Sequence, residues 1–538
     1  MTGQPDSELH PAIADESQLA ALAHALGAAR VPGLSPAEKA LGGDRMIARA
    51  LARRVRDQIA IGGDPLGVIF CRLRSPATRR QQGAVYTPLP IVQSMLDWAR
   101  NSGPVDRVVD PGSGSGRFIL AAGRAFPAAR LVAVEADPLA ALLTRANLAV
   151  TGLADRASVI VADYRRAPIL DHDGGTTLFI GNPPYVRHHQ LTPRDKKWLA
   201  TTAARYGQKA SLLAGLHVHF FLATLDHARS GDRGAFITAA EWLDVNYGAL
   251  LRNLFLDRLG GCALHLIEPA ARPFPDAVTT AAITCFHIDS RPPAIRVCTI
   301  DRPDQLGALE RGRKIERARF TTTSRWSPLA RGRRRRPRGF VELGELCRVS
   351  RGQVTGANKF WIAGPHARDL PASILFPTVT RAREIYQAGA CLTDSSRLRQ
   401  VIDLPADLAE IPEADRVAVD IFLREGKRLG VHLGYIARHR KAWWSVGLHE
   451  PAPILATYMA RRPPGFVRNS SQARHINIAH GIYPREDMTA RMLDALVQHL
   501  ATSTSVVDGR TYAGGLTKFE PREMERLLVP GLDALRIA

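Results

Sequence analysis

The four residues Asn182-Pro183-Pro184-Tyr185 stand directly after the apolar run Leu178-Phe179-Ile180-Gly181. A strand that ends this way can receive a flat, NH₂-bearing group. The Asn182 side-chain oxygen accepts one hydrogen bond from an exocyclic amino group. The Pro183 carbonyl accepts the other, because Pro183 and Pro184 stiffen the backbone and turn it outward. Tyr185 offers a ring face on which a planar base can stack. An amino nitrogen such as that of adenine is a poor nucleophile, since its lone pair is delocalised into the ring. Two acceptors on its hydrogens draw the nitrogen toward a tetrahedral geometry and release the lone pair. Such a site calls for a strong electrophile rather than a strong base. The same four letters also suit an ordinary Pro-Pro turn after a strand, so the surrounding sequence has to decide.

Upstream, the apolar strand Arg107 to Asp110 runs through Pro111 into Gly112-Ser113-Gly114-Ser115-Gly116 and then a helix from about Arg117 to Ala125. Gly112, Gly114 and Gly116 let a ligand approach the backbone where any Cβ would collide. The spacing is G-x-G-x-G and not the G-x-G-x-x-G of a dinucleotide fold. The next strand, Leu131 to Val134, ends in Glu135, about 20 positions on, where an acid suits the hydroxyls of a ribose. A third strand, Val159 to Ala162, ends in Asp163-Tyr164, placed to meet an adenine ring of the ligand. Each piece alone is an ordinary strand-to-loop junction. The three strand ends in order, followed by the Asn-Pro-Pro-Tyr strand, form a coherent series.

This series resembles the class I S-adenosylmethionine-dependent methyltransferases and, more narrowly, the gamma-class DNA adenine-N6 methyltransferases of restriction–modification systems. In that family the cofactor motifs come first, Asn-Pro-Pro-Tyr follows, and a target-recognition domain closes the chain. The resemblance extends to Gly83-Ala84-Val85-Tyr86-Thr87-Pro88 and implies that the loop around Thr87 contacts the methionine end of the cofactor. It also extends to Pro273-Phe274-Pro275-Asp276-Ala277-Val278-Thr279-Thr280 and implies Phe274 as a second wall for a flipped base. The implied fold is α/β: a Rossmann-like class I methyltransferase sheet with a helical N-terminal extension and a separate C-terminal α+β recognition domain. The implied activity is methyl transfer from S-adenosylmethionine to an adenine rotated out of a duplex, with catalysis mainly by positioning. The cofactor set is then Thr87, Asp110, Gly112, Gly114, Gly116, Glu135, Asp163 and Tyr164. The catalytic set is Asn182, Pro183, Pro184, Tyr185 and Phe274.

The chain has 538 residues, too many for one ordinary domain, and its 45% hydrophobic content suffices for real cores. A formal charge of +21 fits a polyanionic partner, with this active site nucleic acid being the economical choice and double-stranded DNA the partner the resemblance implies, although biased codon usage in Ala- and Arg-rich text would raise the charge too. The six cysteines form no C-x-x-C pair. Neither zinc nor a disulfide framework is expected, and a reducing cytoplasm fits. No signal peptide is expected from the polar, acidic N-terminus. The apolar stretch Ser211 to Leu225 is too short to span a bilayer, so no membrane partner is expected. It reads as a core helix, with His217 and His219 as packing or surface residues.

Four segments follow. Residues 1–80 form a helical extension, with helices over Gln18 to Arg30 and Pro36 to Ile61 and with Ser35 capping the second. This extension reads as a cover for the catalytic domain. The methyltransferase domain covers 81–291, a basic linker 292–340 and the DNA target-recognition domain 341–538. The run around Arg333, Arg334, Arg335 and Arg336 suits either a solvated linker or phosphate contact. Ser350 to Phe360 and Arg474 to Pro484 resemble segments of the family's recognition domain. Other readings remain open at this level: an RNA adenine or protein glutamine methyltransferase, a restriction nuclease, or a non-catalytic DNA-binding subunit. For cleavage, Asp195-Lys196-Lys197 and Glu425-Gly426-Lys427 lack a convincing Pro-Asp partner upstream. A separate partner endonuclease is compatible with the sequence.

Overall fold

The structure is a computed structural model that describes residues 13–43, 45–74, 87–169, 174–268, 271, 280–332, 336–512 and 516–537. The chain divides into two compact units, Met1–Arg333 and Arg334–Ala538.

The first unit is built on a sheet that, among the described residues, has nine strands. They are β1 (Arg107–Pro111), β2 (Arg130–Glu135), β3 (Ala157–Val161), β4 (Thr177–Gly181), β5 (Arg233–Ala239), β6 (Gly261–Ile267), β7 (Ala281–His287), β8 (Ala294–Ile300) and β9 (Arg313–Glu316). Their spatial order is β3-β2-β1-β4-β5-β7-β6-β8-β9. The strands from β3 to β5 are parallel, while β7 runs antiparallel to both β5 and β6. Successive side chains of a strand point to opposite faces, and here both faces are apolar. Val108, Leu178, Ile180, Ala235 and Ile237 enter one core, and Val109, Phe179 and Phe236 the other. Strands apolar on both sides belong in the middle of a helix-covered sheet. The helix Leu216–His227 provides part of that cover. His217 and His219 are buried in it, and burial lowers their imidazole pKa values to about 4 and about 3. Both pack in the core, and His219 Nδ1 also meets the Arg165 guanidinium at 3.3 Å.

The extension folds as the helices Glu16–Ala25, Pro36–Ala40, Arg49–Ala60 and Pro65–Leu73. Ser35 caps the second in a capping box with Glu38, as its sequence implies. The helix expected to run unbroken to Ile61 stops at Ala40. Gly42 and Gly43 adopt left-handed φ values of 88° and 51°, and a Cβ on Gly42 would come within 2.9 Å of the Ala21 backbone nitrogen. The turn is thus pressed against the first helix. The extension shares an apolar cluster with Leu139, Leu142, Leu143 and Ala146 of the helix Pro138–Val150.

The stretch 292–340, expected to be a basic linker, is largely built into the first unit. β8 pairs with β6 in parallel and β9 with β8 antiparallel. Ile295 and Val297 point inward to a core with Phe320 and Trp326, while Arg296 between them is only half-buried. The arginines that suggested a linker serve as clamps. Arg317 donates to the carbonyls of Pro292 (2.7 Å), Leu256 (2.8 Å) and Gly261 (2.6 Å), and Arg331 binds Glu268 at 2.7 Å. High charge density masked a two-residue alternation. Arg333, Arg334 and Arg335 lie outside the described residues. Arg336 pairs with Glu345 at 3.1 Å and is half-exposed.

The second unit mixes sheets and helices. In its main sheet the strands Cys347–Arg351 and Ala479–Pro484 are antiparallel neighbours, with Ser350 opposite Gly481. The two segments picked out in the sequence, Ser350 to Phe360 and Arg474 to Pro484, therefore meet in this pairing. Its longest helices are Glu413–Arg428 and Ala490–Ser503. Among the described residues no helix is long and apolar enough to cross a membrane.

Candidate active site

The strand order reverses between β1 and β4: the chain runs outward through β2 and β3 on one side and β5 on the other. In an open α/β sheet the crevice beyond the carboxyl ends of such strands takes the ligand. The glycine turn follows β1 and Asn182-Pro183-Pro184-Tyr185 follows β4, so both arrive at this crevice.

Gly112, Gly114 and Gly116 all have left-handed φ (76°, 58° and 95°), which a residue with a Cβ adopts only under strain. Distant side chains hold the turn. Glu135 Oε2 accepts from Gly114 N–H at 2.8 Å. Thr144 Oγ1 donates to the Gly114 carbonyl at 2.7 Å, and Asn147 Nδ2 to the Ser115 carbonyl at 2.8 Å. Asp64, from the extension, accepts from Ser115 Oγ at 2.9 Å and Arg117 Nε at 2.7 Å. Arg117 in turn donates to the Thr87 carbonyl at 3.1 Å.

The crevice is a cavity of about 770 Å³. Of the residues assigned from sequence, Thr87, Gly112, Gly114, Glu135, Asp163, Tyr164, Asn182 and Pro184 line it. Asn182 Nδ2 donates to Thr87 Oγ1 at 3.0 Å, across 95 positions of sequence. Glu135 uses its other oxygen to accept from Asp137 N–H at 3.0 Å, and burial raises its carboxyl above the usual range. Burial also pushes the Asp163 carboxyl up, but the Arg165 guanidinium, bonded to it at 2.6 to 3.0 Å, outweighs this and holds it below the usual value. Arg165 also reaches Asp195 at 2.8 Å.

Asp110, Gly116, Pro183 and Tyr185 do not line the cavity. Asp110 is fully buried and takes the Ile119 N–H at 3.1 Å, so its carboxyl anchors the helix after the turn. Gly116 lies under Thr144, 3.2 Å from the position of a Cβ. Tyr164 is only 2% exposed. Its ring packs against Phe220 and His227, and its hydroxyl meets Thr224 at 3.0 Å. It is a core residue that also floors the cavity. The Tyr185 hydroxyl is buried with no partner among the described residues, and burial raises its pKa. Phe274 lies outside the described residues. Asp195 closes a capping box on the helix Pro193–Arg205, and Glu425 is held by Arg428 at 2.7 Å. The acids of the two nuclease-like triplets are thus engaged in local structure.

Sequence reasoning missed Ser113, Phe220, Phe70 and Arg74 as lining residues and Asp64, Thr144 and Asn147 as supports. Asp64 before Pro65 carried a readable helix-cap signal; the others carried none. The cavity suits a nucleoside-bearing cofactor in volume. Its chemistry agrees: a turn of glycines, two carboxyls at successive strand ends, and the buried Ser113 Oγ, which has no partner among the described residues. Glu135→Gln removes the charge from a carboxylate that ties two backbone N–H groups. It is expected to weaken S-adenosylmethionine about 10-fold or more, read by calorimetry, and unchanged affinity would contradict this pocket.

The strand order with antiparallel β7, the glycine turn and the acids after β2 and β3 define a class I S-adenosylmethionine-dependent methyltransferase. Residues 131–262 match the family model described as Eco57I restriction-modification methylase. Residues 332–537 match that of the type II methyltransferase M.Eco57I, C-terminal domain. The chain is 55% identical over 472 residues to Type II methyltransferase M.XamI of Xanthomonas campestris pv. amaranthicola, covering 88% of each. It is 20% identical to Type II methyltransferase M.AccI of Acinetobacter calcoaceticus, over 85% of this chain and 87% of that one. The type IIL restriction-modification enzyme MmeI, solved in complex with DNA, shares the fold with a TM-score of 0.53 at 12% identity, over 94% of this chain and 78% of its own. The type IIG restriction endonuclease BpuSI does so with a TM-score of 0.50 at 14% identity, over 96% and 70%. The chain belongs to the type II restriction–modification methyltransferases.

Proposed function

We propose that this methyltransferase modifies the N6 amino group of adenine in a specific duplex DNA sequence. The observation that carries the reading is the Asn182 amide, fixed through Nδ2 to Thr87 at the cavity that holds the glycine turn. Anchoring the nitrogen end orients the amide, so that its oxygen is the atom offered to an incoming amino group. The Pro183 carbonyl supplies the second acceptor on a backbone stiffened by two prolines. Tyr185 would wall the base, with Phe274 as the second wall that the family resemblance implies, and the base must leave the stack at a cost of a few kcal/mol. S-adenosylmethionine, when bound, supplies an electrophilic methyl group. The residues need only orient the amino nitrogen toward it, exclude water and let the proton leave late, so no strong general base is required. Glu135 would hold the ribose hydroxyls, Asp163 the adenine of the cofactor, and Thr87 its methionine end.

The second unit would select the DNA sequence. Its match to the C-terminal domain of a type II methyltransferase supports this. Arg333 to Arg336 would contact phosphates. A separate endonuclease acting on the unmodified sequence is the partner such an enzyme protects against.

The test is sequencing that detects modified bases, on DNA from cells with and without this gene. It is paired with labelled-methyl transfer to duplex DNA and matched RNA by the purified protein. The expected result is N6-methyladenine at one short recurring site in DNA. Methylcytosine at that site, or transfer confined to RNA or protein, would overturn the reading.

A further inference from the structure

The helical extension does more than cover the sheet. Leu41, at the end of the helix Pro36–Ala40, and Phe70 and Arg74, at the end of the helix Pro65–Leu73, line the cofactor cavity. They meet it beside the segment that follows β2. Leu41 and Phe70 belong to the same apolar cluster as Leu139 and Ala140, which also line the cavity. The Arg74 guanidinium lies 4.5 Å from the centre of the Phe70 ring. It binds Glu16 at 2.8 Å and also pairs with Asp137. Asp137 donates its backbone N–H to Glu135. A chain of contacts thus runs from the extension, through Arg74 and Asp137, to the acid assigned to the ribose. The Arg74 and Asp137 side chains are only 12% and 20% exposed, so this pair is largely shielded from water.

An adenosine moiety has two apolar faces and gains from apolar surface laid against it. β3 is the outermost strand on this side of the sheet. Beyond β2 the sheet therefore offers, among the described residues, one further strand end to wall the cavity. The extension stands where that wall is needed.

We propose that the helical extension forms, through Leu41, Phe70 and Arg74, the outer wall of the nucleoside half of the cofactor site. Leu41 and Phe70 give it apolar surface, and Arg74 is a positioning residue that acts through Asp137 on Glu135. This rests on the reading of Glu135 as the ribose acceptor.

Calorimetry on the full-length protein tests it with three ligands: S-adenosylmethionine, S-adenosylhomocysteine and 5′-deoxy-5′-methylthioadenosine. The third keeps the nucleoside and lacks the amino-acid part. Phe70→Ala and Leu41→Ala should weaken all three by a common factor of about 5 to 30. Arg74→Ala should act in the same direction, and Arg74→Lys should restore part of the loss because the pairing charge remains. Thermal unfolding without ligand checks each fold. If Phe70→Ala fails to fold, Leu41→Ala and the Arg74 pair still decide, since Leu41 is not fully buried. Unchanged affinity for all three ligands in Leu41→Ala and Arg74→Ala would overturn the proposal. So would weakening that spares methylthioadenosine, which would put the wall at the amino-acid end. Wild-type protein that binds none of the three would instead overturn the cofactor reading of the cavity itself, and the inference with it.

Discussion

Asn182→Ala is expected to lower single-turnover methyl transfer by about 10²-fold or more, the scale of losing one preorganised hydrogen-bonding group aimed at a reacting centre. The substitution removes the oxygen offered to the amino group and the Nδ2 bond to Thr87 Oγ1. It leaves the glycine turn, Glu135 and Asp163 in place, so affinity for S-adenosylmethionine should change little. Thr87→Val separates the two losses. It keeps the Asn182 oxygen but removes one bond that orients the amide, so it should slow transfer by less than Asn182→Ala. Rapid-quench measurement with enzyme in excess over duplex DNA reports the chemical step apart from product release. Near-normal single-turnover rates for Asn182→Ala would remove the basis for the proposed site.

Glu38→Ala is expected to destabilise the first unit by about 3–5 kcal/mol, the cost of leaving a buried charge without its partner. Glu38 and Arg145 are both fully buried and 2.6 Å apart. Arg145 also donates to the carbonyls of Val31 (3.1 Å), Pro32 (2.8 Å), Gly33 (2.7 Å) and Val159 (2.7 Å). One guanidinium therefore joins the extension, the helix Pro138–Val150 and β3. Those carbonyls keep Arg145 in place when Glu38 is gone, and an uncompensated cation stays inside. The double variant Glu38→Met with Arg145→Met should cost clearly less than the sum of the singles. Urea unfolding, with the first-unit transition followed separately, reads both. A loss below about 1 kcal/mol for Glu38→Ala would show that the carbonyls alone satisfy Arg145.

The division between what sequence and structure determine follows the range of the interactions involved. The strand ends at Asp110, Glu135, Asp163 and Asn182, the helix Arg117–Ala125 and the Ser35 cap each depend on a few consecutive residues. Apolar runs, glycines and capping side chains state them directly, and the observed elements agree. The order of motifs along the chain carried the family.

Position within the sheet is another matter. The linker expected over 292–340 was misjudged because Ile295 and Val297 count as core only once β6 lies beside them. Tyr164, expected at a ligand, does line the cavity, but its ring also packs into the core because the helix Leu216–His227 brings Phe220, Thr224 and His227 around it. Local text does not show that a helix from 60 residues away packs against the same ring.

Sequence by itself determined which side chains stand at the carboxyl ends of which strands, because strand, turn and cap are written in adjacent residues. Only the tertiary structure decided that β1 and β4 are neighbours at the reversal of strand order, so that Thr87 meets Asn182. It also decided that Asp64, Arg74 and Glu38 reach across from the extension to the glycine turn, the loop after β2 and Arg145. Those pairings join residues 53 to 107 positions apart. Glu38 and Arg145 are fully buried and must find partners inside the fold, while the other two pairs form where the extension packs against the sheet's helices and loops and stay partly exposed.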